Sequence, residues 1–326
     1  MIMPVFPPGA LGMPSLVAAA AGSSPSVGLT VYLILIAAAA LLGGSSVVLV
    51  SLGHRPMQVL LSLTGGVLLG VGMLHLLPHA CLALGSNVEA AAGWALLGFF
   101  LMFLLERAFH GHSHHAVDVP ACNHDHHDHH GPHDHTAHAH PSVGAGRWAW
   151  CGAFVGLALH SLSDGAALAA SVRADAAHGG GTLSGFATFL AIVLHKPIDS
   201  ALIATLMMAG GVSTRARRLV NVAYALVVPV GALGFVGLLR MLGVDEGLVL
   251  GIAMAVAAGA FICIAAADLL PEVQFHSHDR VLLTSALALG LAIAWGITAV
   301  ERSSHAHASH RRAGDPAHPA HAHPDH

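Results

Sequence analysis

Two short motifs place ionisable side chains at helical spacing inside apolar surroundings. His-Ser-Leu-Ser-Asp-Gly sets His160 and Asp164 at i and i+4, and His-Lys-Pro-Ile-Asp sets His195 and Asp199 at the same interval. Residues four apart share one helix face. Each motif therefore offers an imidazole and a carboxylate together, and two such helices packed face to face would converge four N and O donors on one point. Two His and two carboxylates suit zinc and other divalent first-row metals. The plainer alternative is that each His–Asp pair hydrogen-bonds internally and only joins helices. Two pairs, each in the middle of an apolar segment, favour the metal reading, because ionisable residues inside membrane spans are costly and mark function. Pro197 supports it by freeing a backbone carbonyl one turn earlier, near Val193. Lys196 follows His195 and lies on a neighbouring face. A lysine there needs a partner or water, so it either fills a second cation position or pairs with a nearby carboxylate.

A further pair of motifs lies nearer the ends of apolar segments. His-Leu-Leu-Pro-His sets His75 and His79 four apart, and Asp-Leu-Leu-Pro-Glu does the same for Asp268 and Glu272. Gly66 and Gly259 each stand nine residues upstream. These four ligand-type residues read as stations of a transport pathway, and the echo reads as an inverted repeat with its sites between the halves. Histidine is crowded elsewhere too. Of 28 in the chain, thirteen fall between His110 and His140 and seven between His305 and His326. The densest run, His124, His126, His127, His129 and His130, is a candidate for metal capture, since neutral imidazole is a common ligand for zinc-like ions. Its alternative is a polar loop without a role. There is no C-x-x-C pair, so neither disulfides nor a thiolate metal site is expected.

Composition fixes the kind of element that must hold these residues. The chain has 326 residues, 55% hydrophobic and only 9% charged, with a mean hydropathy of +0.70. Soluble domains carry about 25% charged residues, so a soluble enzyme and a disordered chain are excluded. Lys plus Arg number 13 against 17 Asp plus Glu, which leaves no basic excess for nucleic acid. Eight segments reach the length of a membrane span, roughly 29–51, 57–82, 90–109, 148–171, 183–209, 217–242, 247–271 and 281–300. Backbone groups in lipid must be paired internally, which makes these helices. Gly66 and Gly70 form a G-x-x-x-G step that lets helices approach closely. The expected fold is an all-α membrane protein with eight transmembrane helices. The chain then divides into an N-terminal segment at 1–27, an eight-helix domain at 28–302 and a His-rich tail at 303–326, with a His-rich loop at 110–146 whose composition predicts disorder. Before Arg55 there is no Lys or Arg, so the positive start of a signal peptide is absent. Arg55, Arg107, Arg147, Arg215, Arg217, Arg218 and Arg280 fall on one side of an eight-span chain, against Arg173, Arg240, Arg302, Arg311 and Arg312 on the other. The positive-inside bias then puts the His-rich loop in the cytoplasm and both termini outside.

Together these motifs resemble the ZIP (Zrt/Irt-like) family of divalent metal transporters, over roughly residues 28–302. His160 to Gly165 resembles the family's fourth-helix signature, His195 to Asp199 its fifth, and Asp268 to Glu272 the end of its seventh. The long His-rich loop between the third and fourth helices is also similar. The resemblance implies an inverted repeat relating helices 1–3 to helices 6–8 around central helices 4 and 5, and metal movement into the cytoplasm. It implies that His160, Asp164, His195 and Asp199 form the principal metal site. Ser161 and Lys196 stand where many members carry Asn and an acid of a second, adjacent site. Lys196 replaces that acid, so its charge should repel a second metal. His79 stands where many members carry an acid, which bears on selectivity at the entrance. No resident cofactor is implied. The cargo is Zn2+, with Cd2+, Fe2+, Mn2+, Co2+ and Ni2+ accepted by the same donors. The implied partners are divalent metal ions and the lipid bilayer, a homodimer is allowed, and the implied location is the plasma (inner) membrane.

Three rival classes come into question. A cation diffusion facilitator-like exporter also uses paired His and Asp, but resembles the chain less, with six spans and usually a folded cytosolic domain. An intramembrane metal-dependent hydrolase would carry H-E-x-x-H, whereas Lys196 follows His195 here. A membrane protein that only sequesters metal would not need pathway residues at both faces.

Overall fold

The computed structural model describes residues 25–46, 54–110, 149–177, 184–242, 245–275 and 280–313; at 25–26, 54, 109–110, 149, 242, 268–275 and 302–313 it describes the backbone alone. The described residues form helices and no strand, and eight stretches are long and apolar enough to cross a membrane. The first span is α1 (Pro25–Ser46). The second runs from α2 (His54–Val71) through a π turn (Gly72–Leu76) into α3 (Leu77–Ala83). The third to fifth are α4 (Val88–His110), α5 (Ala149–Ala177) and α6 (Phe186–Ala209). α7 (Thr214–Ala225) and α8 (Val227–Leu242) make the sixth, α9 (Glu246–Phe275) the seventh and α10 (Arg280–Ala313) the eighth.

Local chemistry sets several of these ends. Asn87 accepts from the Ala90 amide and Ser213 from the Ala216 amide, capping α4 and α7. The turn into α6 needs a left-handed residue, which Gly185 supplies with φ of 76°. A proline follows the π turn closely. Pro78 has no N–H for the carbonyl four residues back, and its ring crowds that carbonyl; a widened preceding turn is one way to relieve the clash. α9 contains Pro271 without such a turn. α10 extends beyond its expected end near 300 to Ala313. Its Ala-containing extension meets no Gly or Pro until Gly314 and Pro316.

The distribution of polarity is that of a protein solvated by lipid. Leu96, Phe100 and Leu101 of α4, Leu233 of α8 and Trp295 of α10 are exposed, while His75, His160, Asp164, Asp175, His195 and Lys196 are buried. Polar residues thus line the inner faces of the second, fourth and fifth spans. Among helix pairs, α2 lies along α10, α4 along α9, α1 along α6 and α5 along α8.

Glycine makes these pairs close. A Cβ on Gly66 would strike the Leu287 carbonyl, and one on Gly259 would strike the Ala95 carbonyl. A Cβ on Gly290 would strike the Leu63 carbonyl, and one on Gly98 the Val256 carbonyl. A shift of 193 residues carries Gly66 to Gly259 and Leu63 to Val256, and a shift of 192 carries Gly98 to Gly290 and Ala95 to Leu287. The third and seventh spans therefore repeat, residue for residue, the approach that the second and eighth make.

The obstruction at Gly259 is backbone, which cannot rotate away as a side chain would. Gly259→Ala is expected to destabilise the protein by about 1–3 kcal/mol. Gly93→Ala, in a helix interior where a Cβ meets nothing within 4 Å, should be neutral or stabilising by up to about 1 kcal/mol. Thermal unfolding of the two purified variants in one detergent, against the parent, checks both signs.

Candidate metal centre

α5 and α6 each present one polar stripe. On α5 it runs His160, Asp164, Ser171, Asp175, at steps of four, seven and four residues. On α6 it runs Thr188, His195, Asp199 at steps of seven and four. Each step returns to nearly the same face of a helix. The stripes face one another, since the Thr188 hydroxyl donates to Ser171 Oγ at 2.9 Å and His160 meets His195.

At the centre of this seam three donor atoms form an equilateral triangle. His160 Nε2, His195 Nε2 and Asp164 Oδ2 are each 3.3 Å from the other two. Around a tetrahedral zinc with bonds of about 2.0–2.1 Å, neighbouring donors stand about 3.3–3.4 Å apart. The triangle therefore matches one face of a zinc coordination shell. The tautomer of His195 fits this role. Its Nδ1–H donates to the Ala191 carbonyl at 2.8 Å, which leaves the Nε2 lone pair bare and aimed at the other two donors. His160 is held less firmly, because its buried Nδ1 has no hydrogen-bond partner among the described residues. Asp199 stands outside the triangle, with Oδ2 3.9 Å from His195 Nε2.

Lys196 explains where Asp199 is held. Its ammonium lies 2.6 Å from Asp164 Oδ2, 3.0 Å from Asp199 Oδ2 and 3.0 Å from Ser161 Oγ. All three N–H donors are thereby used, and Lys196 is 1% exposed. Of the two alternatives left open by the sequence, the structure shows the pairing: the lysine contacts both carboxylates, beside the triangle and next to Ser161. Tyr224 closes the group from α7. Its hydroxyl donates to Asp199 Oδ2 at 3.1 Å and lies 3.0 Å from Ser161 Oγ, and its ring faces the ammonium at 5.9 Å.

A second group gathers toward the other end of α5. His79 Nδ1–H donates to the His75 carbonyl at 2.7 Å, and His79 Nε2 lies 3.3 Å from Asp175 Oδ1. His75 Nδ1 lies 3.0 Å from Glu301 Oε2, and its Nε2 lies 3.1 Å from Ser171 Oγ and 3.8 Å from Asp175 Oδ2. Asp175 also accepts from the Gly185 amide at 2.6 Å, which ties the turn into α6 to this cluster. His75 is carried by the π turn, a device frequent at functional sites. Two imidazoles and two carboxylates from α3, the π turn, α5 and α10 thus meet where the fourth and eighth spans end.

From the opposite end a cavity of about 360 Å³ reaches the triangle, with His160 and Asp199 in its wall beside Met57, Met102, Glu106 and Thr205. Met57 opens the second span, while Glu106 and Thr205 close the third and fifth. Tyr224, Asp175, Glu301 and Glu106 were not singled out from the sequence. Asp175 had a signal in the stripe on α5, one turn beyond Ser171. Tyr224 and Glu301 had none, because their partners lie on helices distant in sequence. The side chains of Asp268 and Glu272 lie outside the described residues, as do His124, His126, His127, His129 and His130.

A polytopic helical protein with buried imidazole–carboxylate groups among its spans is of the class of integral membrane proteins suited to divalent metals. The ZIP Zinc transporter family model matches residues 27–298, and the chain belongs to that family, one of transporters and not of enzymes. It is 32% identical over 200 residues to the zinc transporter ZIP9 of Xenopus tropicalis, covering 59% of this chain and 57% of that protein. It is 31% identical over 204 residues to zinc transporter ZIP9-B of Xenopus laevis, covering 60% and 58%. The matched stretch thus spans somewhat over half the length of these relatives.

The lysine clamp generates a test. Lys196→Met leaves the buried Asp164 and the partly buried Asp199 without their cation, which is expected to cost about 3–5 kcal/mol in metal-free protein. Zinc should then raise the melting temperature more in Lys196→Met than in the parent, since the ion replaces the missing charge. An equal zinc response in both proteins would separate the lysine from the metal site.

Proposed function

We propose that this protein carries zinc or a similar divalent ion across the membrane, through the triangle of His160, Asp164 and His195 with Asp199 as the fourth donor. The observation that carries this reading is the 3.3 Å spacing of two imidazole nitrogens and one carboxylate oxygen in a triangle, which suits one ion. His75, His79, Asp175 and Glu301 form the outer station, and the Ser171–Thr188 pair bridges the seam between the stations. The cavity beside Glu106 is the exit. The arginines at the exit end, Arg55, Arg107, Arg215, Arg217, Arg218 and Arg280, support a cytoplasmic exit, so that metal moves inward. His110, one turn beyond Glu106, begins the His-rich segment, which is then placed to receive metal from the exit. Asp268 and Glu272, at the end of the seventh span, lie on the exit side of the same pathway.

The repeated glycine approaches support an inverted repeat of spans 1–3 and 6–8. The same relation takes His160 to His195 and Asp164 to Asp199 by a shift of 35 residues. It also takes Ser161 to Lys196. The position that would complete a second metal site therefore holds an ammonium, and the core binds one ion. At about 4 Å a fixed unit charge repels another by about 4 kcal/mol per unit charge at an effective dielectric of 20. That repulsion weakens binding and favours release. The family match and the eight spans favour this reading over a cation diffusion facilitator-like exporter and over an intramembrane hydrolase.

Zinc flux into sealed proteoliposomes, read by a trapped fluorescent chelator, tests the centre. Asp164→Asn and His195→Ala should each lower flux by 10- to 100-fold or more with the protein still in the membrane. Flux at the parental rate in Asp164→Asn would remove the triangle from the pathway. Direction is read in cells, where expression should raise intracellular zinc; a fall would make the protein an exporter.

The outer station predicts a different kinetic signature. His79→Ala should raise KM for zinc by about tenfold with a smaller change in maximal rate, because it acts on capture rather than on the central site. Concentration series on the same vesicles distinguish this from a loss of maximal rate alone, which would place His79 outside the capture step.

A further inference from the structure

The ends of α1, α6 and α7 enclose a cavity of about 380 Å³ that the transport pathway does not use, lined by Ser45, Met208, Thr214, Arg217, Arg218 and Asn221 among others. We propose that this cavity binds the phosphoryl headgroup of an anionic phospholipid, and that its occupant acts on the transport site through α7.

The cavity has two guanidinium groups and, among the described residues, no carboxylate in its lining. Arg217 donates from Nη2 to Thr214 Oγ1 at 3.2 Å, which fixes its plane, while its buried Nε has no hydrogen-bond partner among the described residues. A guanidinium donor withdrawn from water without an acceptor is unfavourable. An oxyanion supplies that acceptor, and the fork geometry of arginine matches phosphate. The surroundings select a lipid over a free anion. Leu219 and Val222 of α7 are 71% and 48% exposed, and Met208 at the cavity is 42% exposed. The basic pocket thus opens beside apolar surface that faces acyl chains, at the boundary where basic pockets between helices take anionic headgroups.

The pocket is connected to the metal centre. A smaller cavity continues inward, lined by Arg217 and Asn221 at one end and Ser200 and Tyr224 at the other. Asn221 is bolted to α1 through the Leu41 carbonyl at 3.1 Å. Tyr224, one turn along α7, donates to Asp199. A headgroup that orders the first turn of α7 therefore orders the hydroxyl that holds Asp199.

The experiment measures lipid retention on the detergent-purified full chain by native mass spectrometry, with phosphatidylglycerol, phosphatidylcholine or inorganic phosphate added. Phosphatidylglycerol is expected to bind more tightly than phosphatidylcholine by about 30-fold, as two arginines near one headgroup allow. Arg217→Gln with Arg218→Gln should abolish that preference. Arg218→Gln alone, at an exposed side chain that leaves Arg217 in place, should reduce it by about fivefold. Arg215→Gln, on the same turn but outside the cavity, should leave it unchanged. In vesicles, zinc flux of the parent should rise with phosphatidylglycerol content, and flux of the double variant should not. Equal binding of the two lipids overturns the proposal, as does equal loss in Arg215→Gln, which would mean diffuse surface charge. Displacement of phosphatidylglycerol by millimolar inorganic phosphate would assign the pocket to a free anion and overturn the lipid. The binding arm does not depend on transport, so its result stands apart from the reading of the metal centre.

Discussion

One oxygen atom, Asp164 Oδ2, meets two imidazole nitrogens at 3.3 Å and an ammonium at 2.6 Å. A carboxylate that is 1% exposed inside a bilayer must be neutralised or hydrogen-bonded. Everything else in the core follows from that requirement. Lys196 supplies the charge, Ser161 and Asp199 complete its donors, and Tyr224 fixes Asp199 in turn. At the proposed site the protein cation and the cargo cation would draw on the same oxygen, so binding of metal and release of the lysine would be one event.

That arrangement explains why the seam between α5 and α6 can be polar along its length. Isolated hydroxyls and carboxylates would be unfavourable there, but each is matched across the seam or to backbone. Ser171 meets Thr188 and His75, Asp175 meets His79 and the Gly185 amide, and Ser200 donates to the Lys196 carbonyl at 2.9 Å. The helices can carry this seam because their other faces pack with little side-chain volume. Gly165 lies so close to α8 that a Cβ would strike the Val228 carbonyl, and Gly43 approaches the Pro197 carbonyl from α1. Small residues on the outer faces and polar residues on the inner ones are two halves of one solution, since lipid supplies no hydrophobic drive to bring helices together.

Most of the fold was legible in the sequence because span length is a hard constraint. The expected segments at 57–82 and 183–209 compare with spans at Arg55–Ala83 and Phe186–Ala209. His160, Asp164 and His195 were legible because i and i+4 spacing fixes a shared face. For Lys196 the pairing was one of two readings left open, since a flexible four-carbon stem reaches atoms that its backbone direction does not indicate. His75 and His79 could be singled out, but not their partners. Asp175 and Glu301 come from the ends of the fourth and eighth spans, and only tertiary packing brings those ends to the π turn. The widening at Gly72–Leu76 was also hidden, because the same proline step at Pro271 leaves α9 regular.

The proposed repeat is broken where the chemistry requires it. A shift of 35 equates Ser161 with Lys196, a hydroxyl with an ammonium. Two lysines there would place like charges on the same two carboxylates, and two hydroxyls would leave those carboxylates uncompensated when metal departs. One of each is the combination that would be stable empty and still admit a cation at the proposed site. A shift of 193 equates His75 and His79 with Asp268 and Glu272, imidazoles on one side and acids on the other. On the proposed direction of transport, the ion leaves the imidazole-bearing end for the acid-bearing end. The imidazole-bearing end takes its carboxylates, Asp175 and Glu301, from other helices, so the proposed repeat keeps acids at both ends of the pathway while drawing them from different elements.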